Sequence, residues 1–487
     1  MHPLSRRIAE VLDLQPDAPA IEYGDQWFSW RQIRVAASHV GSQAKEPEVG
    51  ILLRNRPAHV AAFLGVLLRG GTVVTINPAR GDDRTRTDIA GLRLPVIVGE
   101  SDDLASLAAA APGPTRRVTV SISALFDRVD EPAAVSVPGR WEVAVRMLTS
   151  GTTGPPKRIG LGYDMLAHSV LGADYRNTPA PTELRRGVAI VNSPLVHIGG
   201  VFRVLQCVTA GRPFVLLERF ELNAWTQAVR KHRPRAVSLV PAALRTVLHS
   251  DLSRADLAGI RAVTCGTAPL SAEDADAFTQ KYGIPVLTSY AATEFGGGVA
   301  GWTLADHRQY WRAKRGSVGR ANPGAQLRVV DDDGAALPPN QVGRLELRPG
   351  QLGPSADWLQ TTDMARIDAD GFLWIVGRAD QAIIRGGFKV LPDNVRTALE
   401  GHPAVAGAAV VGRYDERLGE TPVAMVELRQ AGSTGTGELV EYLRTRLAGY
   451  EIPADIVVVD AMPRTPSGKP DLGAIRSFFS DTTNHGS

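Results

Sequence analysis

The stretch Thr149-Ser150-Gly151-Thr152-Thr153-Gly154-Pro155-Pro156-Lys157 is dense in hydroxyls and glycines and closes on a lysine. Glycines let backbone N–H groups approach an anion, hydroxyls add donors and the lysine adds a point charge, which together make a phosphate cradle. At about 4 Å and an effective dielectric near 20, one ammonium–phosphate contact is worth roughly 4 kcal/mol before desolvation. No Gly-Lys-Ser/Thr follows four residues after the first glycine, which disfavours a P-loop NTPase. Upstream, Val143 to Leu148 alternates and is mostly apolar, the pattern of a buried strand, and a helical pattern starts near Tyr163. The local reading is a strand running into a phosphate-holding loop.

The same alternation extends outward. From Gly50 to about Tyr290, short β-rich apolar runs occur at Gly50–Leu53, Thr72–Ile76, Pro95–Val98, Gly187–Val191, Pro213–Leu217, Ala236–Leu239, Ala262–Cys265 and Pro285–Leu287. Between them, Ala58–Arg69, Leu222–Arg233 and Ala272–Tyr282 carry helical spacing, so the expected fold is α/β, with largely parallel sheets covered by helices. Ligands in such folds bind outside the carboxyl ends of the strands. From about Ala325 the pattern becomes strand and turn, with Gln326–Val330, the turn Asp331–Gly334 and Gly343–Leu347, as in a small β subdomain covering about 325–378. Beyond Gly377 come a helix over Asp393–Glu400, strands at Val405–Gly412 and Val423–Leu428, a helix over Gly437–Leu447 and a strand at Ile456–Val459. The expected division is an N-terminal domain 1–378 and a small α+β C-terminal domain 379–487, with a polar tail from Ser480 expected to be disordered.

At 487 residues the chain exceeds a single core. Its net charge of +3 is small for that length and no basic block with interleaved aromatics occurs, so nucleic acid is excluded as an expected partner. No apolar run reaches the ~20 residues of a membrane span. The N-terminus turns amphipathic at once without an apolar signal region, and Cys207 and Cys265 lack metal-type spacing, so a cytoplasmic protein with free thiols, monomeric or homodimeric, is expected. Lysine occurs only at 45, 157, 231, 281, 314, 389 and 469, arginine filling nearly every other cationic role. A retained lysine in that background points to a need for compact charge, and Lys157, Lys389 and Lys469 all fall in motif-like segments.

Five further segments carry chemistry. Tyr290-Ala291-Ala292-Thr293-Glu294 follows an expected strand and precedes three glycines; its glutamate is an oxygen ligand of the kind a phosphate-bridging hard cation needs. Thr362-Asp363 and Arg378 flank Asp370-Gly371, which reads as a hairpin turn that would return Asp363 and Arg378 to one end of two paired strands. Gly386-Gly387-Phe388-Lys389 permits close backbone approach through its paired glycines. Pro466-Ser467-Gly468-Lys469 places a lysine in a late turn, and Val196-His197-Ile198-Gly199 places a histidine ahead of a helix.

These motifs, in this order and over nearly the whole chain, resemble those of the AMP-forming acyl-adenylating superfamily, which joins acyl-CoA synthetases, adenylation domains and luciferases, and most nearly its acyl- and aryl-CoA ligases. The resemblance implies that Thr149–Gly154 and Lys157 grip the phosphates of ATP, and that Gly266, Thr267, Ala268 and Tyr290 border the adenosine. It implies that Thr293 lies near the α-phosphate, that Glu294 holds Mg2+, and that Asp363 and Arg378 bind the ribose. Asp380 would be the hinge of a rotating C-terminal domain. Lys469 would neutralise charge on the substrate carboxylate and α-phosphate in the first half-reaction. Gly386, Gly387, Phe388 and Lys389 would line the acceptor tunnel in the second. His197 would gate an acyl pocket formed with Val196, Ile198, Gly199, Ala291 and Ala292.

The implied reaction is attack of a carboxylate on the α-phosphate of ATP, releasing pyrophosphate and leaving acyl-AMP, followed by transfer to a thiol, CoA being the expected acceptor. A carrier protein, an amine or a small nucleophile such as nitrite are alternative acceptors, and a non-catalytic nucleotide-binding module is a remote one. Ala291 stands where acetate-specific relatives place a tryptophan, Ile198 where 2-hydroxybenzoate-activating relatives place an asparagine, and no aspartate near His197 could hold an α-amino group. The expected substrate is therefore a medium-length, branched or aromatic hydrophobic acid. Two departures bear on the acceptor step: Gln381 follows Asp380 where a second acid is common, and Asn394 and Arg396 replace usual glutamates.

Overall fold

A computed structural model describes residues 1–123, 141–149, 157–353, 356–385, 388–415, 417–465 and 468–483. The N-terminal part contains two parallel-rich sheets that carry the motifs. In the first, six strands run in the order Arg116–Thr119, Val96–Gly99, Glu48–Leu52, Thr72–Ile76, Val143–Thr149 and Lys157–Gly162; all neighbours are parallel except the last pair. The residues Ser150, Gly151, Thr152, Thr153 and Gly154 of the phosphate loop lie outside the described residues. Their two flanks pair as antiparallel strands, with Thr149 opposite Lys157. The strand over Lys157–Gly162 was not expected, because two glycines and two cations break its alternation; pairing to Val143–Thr149 forms it.

The second sheet runs Ala236–Leu239, Ala262–Cys265, Val286–Ala292, Gly297–Gly301 and Arg320–Ala321, its first three strands parallel. A third sheet joins an N-terminal hairpin, Pro19–Tyr23 with Gln26–Ser29, to Phe214–Leu216 and Ala189–Val191. Helix Pro57–Leu68 is buried on every side, so its side chains each contribute roughly 1.5–3 kcal/mol where they are large and apolar. It packs on helix Trp30–Gln43 so closely that a Cβ at Gly65 would overlap the Ala37 carbonyl.

His59 on that buried helix has both ring nitrogens without a hydrogen-bond partner, and Glu100 Oε1 lies 3.9 Å from Nδ1. Burial first, then the neighbouring Arg56 charge, push its pKa down to about 4. Because the folded value lies below the unfolded one of about 6.5, the unfolded chain binds the extra proton first. The stability this group contributes is complete above pH ~6.5 and is lost as pH falls towards 4, about 3 kcal/mol in all. His59→Phe is expected to flatten that segment of an acid-unfolding curve while leaving stability near pH 8 within about 1.5 kcal/mol of the parent.

The β subdomain is a four-stranded antiparallel sheet, Gln326–Val330, Gly343–Arg348, Leu359–Ile367 and Leu373–Arg378. Asp363 pairs directly with Arg378, as the hairpin reading requires. The connection is a five-residue loop, Asp368 to Phe372, rather than a two-residue turn; the Asp368 carboxylate accepts from the Asp370 and Phe372 N–H groups, and Gly371 takes φ +82°. The C-terminal residues build a separate domain. Strands Val405–Asp415 and Gly419–Leu428 form its centre, with Asp455–Val459, Ile383–Arg385 and Phe388–Val390 attached. Helix Pro392–Glu400 packs on one face and the final helix Leu472–Thr483 on the other. That last helix corrects the expectation of disorder from Ser480: Ile475 and Phe479 bury against the sheet and carry the helix through Thr483.

Candidate active site

Four motifs follow, in sequence, strands that have parallel neighbours. The phosphate loop follows Val143–Thr149, Gly266-Thr267-Ala268 follow Ala262–Cys265, Thr293-Glu294 follow Val286–Ala292, and the segment to His197 follows Ala189–Val191. These strands belong to three sheets, and the crevice outside the carboxyl ends of parallel strands is where ligands bind in such folds. Thr267 has φ +72°, a left-handed conformation that a β-branched side chain adopts only under strain of about 1–3 kcal/mol. Strain of that kind is tolerated where the surrounding structure fixes a turn for contact.

Tyr290, Ala291 and Ala292 lie on the strand Val286–Ala292, the two alanines opposite Gly298 and Gly297. Thr293 and Glu294 form a single 3-10 turn that ends on left-handed Gly296. The Glu294 side chain is exposed and makes no hydrogen bond or ion pair to the described residues, so its lone pairs are available to a cation. One carboxylate suits Mg2+, which keeps several waters and takes its remaining oxygens from phosphate. Among the described residues there is no cluster of three or more histidine, cysteine or acidic side chains that would bind a metal by themselves.

The loop behind Glu294 is fixed by residues that no motif announced. Ser169 Oγ donates to the Gly296 carbonyl at 2.9 Å, and the Asn322 and Gln351 amides both donate to the Gly298 carbonyl, at 3.0 and 3.2 Å. Met165 packs where a Cβ on Gly296 would lie. On the opposite wall, the buried Asn55 amide donates to the carbonyls of Ser193 and Leu217 and accepts from Leu195 N–H, tying down the segment that leads to His197. Val196 is buried in the core, whereas Ile198 and Gly199 are partly open at the start of helix Ile198–Thr209.

Tyr290 Oη donates a short hydrogen bond to Asp363 Oδ2, fixing one carboxylate oxygen. Desolvation raises the Asp363 pKa, opposed by that hydrogen bond and by the charge of Arg378; the Tyr290 hydroxyl is likewise driven up, by burial and by Asp363. Arg378 Nε and Nη2 donate to Thr362 Oγ1 at 3.0 and 2.8 Å, and Nη2 also reaches Asp380 Oδ2 at 2.7 Å. A diol could bind between a carboxylate and a guanidinium so arranged. Asp380 sits in the single turn Ala379–Gln381 that joins the β subdomain to the C-terminal sheet.

Lys469 enters this crevice from the C-terminal domain. Its turn is fastened by Arg464, which donates to Glu427 Oε2 at 2.6 Å, and by Thr465 N–H bonding to the Lys469 carbonyl at 2.7 Å. Pro466 and Ser467 lie outside the described residues. The Lys469 side chain retains open surface, yet the protein mass around it lowers its pKa by desolvation and then by repulsion from Arg378. His197 shows the same combination, its pKa lowered by burial and then by Lys469. Open surface together with desolvation describes groups lining a cleft, and Lys469 is near enough to Arg378 and to His197 for the charges to act on one another. Phe388 instead is 57% exposed and stacks on Tyr450 of its own domain at 4.8 Å. Gly386 and Gly387 lie outside the described residues, as does the side chain of Lys389.

A buried ionic network holds the two parts in this relation. Arg245 donates to Asp274 at 2.7 Å and reaches Glu400 of the C-terminal domain at 3.3 Å; Arg396 meets Glu400 at 2.6 Å and Asp393 at 3.0 Å; Arg429 lies 3.5 Å from Asp274 and contacts His249. Arg396, a departure from the family pattern, is thus a partner in this network. Removing one member of a buried pair costs about 3–5 kcal/mol, since it strands the others. Glu400→Gln is expected to lower the unfolding temperature by several degrees and to speed proteolysis across residues 379–382.

The comparisons with known proteins give the family. The family model for AMP-binding enzymes matches residues 8–353, and that for the AMP-binding enzyme C-terminal domain matches residues 395–469. The chain is 30% identical to a feruloyl-CoA synthase from an Amycolatopsis species over 96% of its own length and 97% of the relative's. It is 28% identical to an indoleacetate–CoA ligase from Aromatoleum aromaticum over 99% of each. Among solved structures it resembles ATP-bound MatB from Rhodopseudomonas palustris, with a TM-score of 0.85 and 23% identity over 99% of this chain and 100% of that one. It also resembles the amide bond synthetase McbA from Marinactinospora thermotolerans, with a TM-score of 0.82 and 25% identity over 98% and 100% of the two chains. The chain belongs to the AMP-binding enzyme family. It is an enzyme, an AMP-forming carboxylate ligase. No helix among the described residues is long and apolar enough to cross a membrane.

Proposed function

We propose that this chain activates a carboxylic acid larger than acetate with ATP, releasing pyrophosphate, and then transfers the acyl group from acyl-AMP to the thiol of CoA. The observation that carries the reading is the pairing of Asp363 with Arg378 beside Tyr290, with Lys469 of a separate domain near enough for its charge to act on Arg378 and His197. Asp363 and Arg378 orient the ribose, Tyr290 holding the carboxylate. Lys469 places its ammonium where negative charge gathers between the incoming carboxylate and the α-phosphate; such preorganised charge is worth more in a desolvated site than in water. Glu294 holds Mg2+, which when bound neutralises phosphate charge. No proton moves in this step, so His197 shapes the entrance instead of acting as a base.

Transfer to CoA requires the reacting centre to be open to a thiol. With Lys469 in the crevice and Phe388 turned onto Tyr450, the present arrangement suits the first half-reaction, and rotation about Asp380 would bring the 386–389 segment inward for the second. The names of the relatives, feruloyl-CoA synthase and indoleacetate–CoA ligase, support CoA. An amine acceptor is the second reading, favoured by the likeness to an amide bond synthetase. Product analysis by mass spectrometry with ATP, an activated acid and either CoA or a panel of amines separates them. An acyl-CoA formed faster than the acid amide supports the first reading, and acyl-AMP that accumulates unchanged by CoA contradicts it.

A further inference from the structure

Helix Ile198–Thr209 has two unlike faces. Gly200, Val201, Val204, Leu205, Cys207 and Val208 are buried in the core. Ile198, Gly199, Phe202, Arg203 and Gln206 stay partly or fully open, at the spacing of one helical face. That face starts at His197, in the crevice, and runs towards the second sheet: Arg203 Nη2 donates to Thr264 Oγ1 at 2.9 Å, two residues before Gly266. The helix also packs against the strand Gly297–Gly301. The helix therefore meets the second sheet at Thr264 and at the strand Gly297–Gly301.

Arg203 is out of place at that junction. Its guanidinium has five donors, and its partners are the Thr264 hydroxyl and Gln206 Oε1 at 3.1 Å, with the Phe202 ring 5.8 Å away. None of these is an anion, and no carboxylate among the described residues forms an ion pair with it. Several enclosed arginines are compensated by carboxylates: Arg54 by Asp103, Arg245 by Asp274 and Glu400, Arg328 by Glu346. Arg7 and Arg69 donate to backbone carbonyls, although Arg69 Nε has no partner. Desolvation lowers the pKa of Arg203, as expected of a cation held away from water without a counter-charge. A desolvated, uncompensated charge is unfavourable unless a ligand supplies the opposite one, and a guanidinium fork matches a carboxylate bidentately.

We propose that Arg203 sets substrate specificity, and that the acid activated here is a dicarboxylic acid whose second carboxylate binds Arg203 at the far end of the acyl pocket. This rests on the adenylation reading above and replaces the expectation of a wholly hydrophobic acid. Arg203 lies six residues beyond His197, roughly 9 Å along the helix axis, and arginine side chains lean back towards the helix N-terminus. The two carboxylates are therefore separated by a short carbon chain or one aromatic ring.

The test measures acid-dependent pyrophosphate release from equal-length pairs: succinate against butyrate, glutarate against valerate, adipate against hexanoate and phthalate isomers against benzoate, with 4-coumarate as a neutral-tailed aryl acid. The expected result is kcat/KM at least about 100-fold higher for the best dicarboxylate than for its partner. Arg203→Leu should remove that preference, mainly through KM for the dicarboxylate, and raise the monocarboxylate. Thr264→Val, which removes the hydroxyl but leaves the charge, should keep it. If Arg203 only braces the helix to the strand, both variants lower both series alike, and that result overturns the proposal. So does a wild-type preference for monocarboxylates or 4-coumarate, which would leave adenylation intact. Release from neither series removes the adenylation reading, and this proposal with it.

Discussion

Lys469→Ala is expected to lower acid-dependent ATP–pyrophosphate exchange by about 10²–10³-fold, the usual effect of deleting one preorganised charge at a reacting centre. The same variant should form thioester from supplied acyl-AMP and CoA at close to the parental rate. The contrast follows from placement. Lys469 reaches the crevice on a turn held by Arg464 and Glu427 and couples to Arg378 and His197, so its charge serves the step in which carboxylate and phosphate meet. Once the anhydride exists, that charge has no further task. Equal loss in both half-reactions would show that Lys469 supports the fold of the crevice and not the first step alone.

Asp363→Ala should raise the KM for ATP by at least about 100-fold with a smaller change in kcat, since two charge-assisted hydrogen bonds of roughly 1.5–3 kcal/mol each would be lost in ground and transition states alike. Tyr290→Phe removes only the donor that fixes Oδ2 and should cost far less. The raised pKa of Asp363 adds a pH signature. A diol is held by the ionised carboxylate, so ATP affinity should fall on acidification from a higher pH than an ordinary aspartate would give. Asp363→Asn should bind ATP weakly at every pH and lose that dependence. An unchanged KM in Asp363→Ala would place the ribose elsewhere.

Much of this site is legible in the chain itself, for reasons of local chemistry. The strand over Thr72–Ile76 and those over Ala236–Leu239 and Ala262–Cys265 fall where β-branched, mostly apolar runs put them, because strands buried on both faces are built from such runs. The pairing of Asp363 with Arg378 follows from the Asp-Gly turn between them, even though the loop is longer than two residues. What was hidden depends on distant partners. The hairpin Pro19–Ser29 exists by pairing with Phe214–Leu216, and Lys157–Gly162 by pairing with Val143–Thr149.

The tethers of the site were hidden too. Asn55, Ser169, Asn322 and Gln351 act through hydrogen bonds to backbone carbonyls or N–H groups of distant segments, and an isolated polar residue gives no periodic signal. Arg203 left a fainter trace, a cation inside an otherwise apolar helix, whose meaning needs the neighbouring strand. The replacement of a usual glutamate by Arg396 read as a weakness of the acceptor step; in the fold it joins the Glu400 network between the two domains.

Exchange of labelled pyrophosphate into ATP, with and without a carboxylic acid, tests most directly whether this chain is an adenylating enzyme built around Lys469. Exchange that requires the acid, is indifferent to CoA and falls by at least about 10²-fold in Lys469→Ala is the expected result. Exchange absent for every acid tried, or undiminished in the variant, would contradict it.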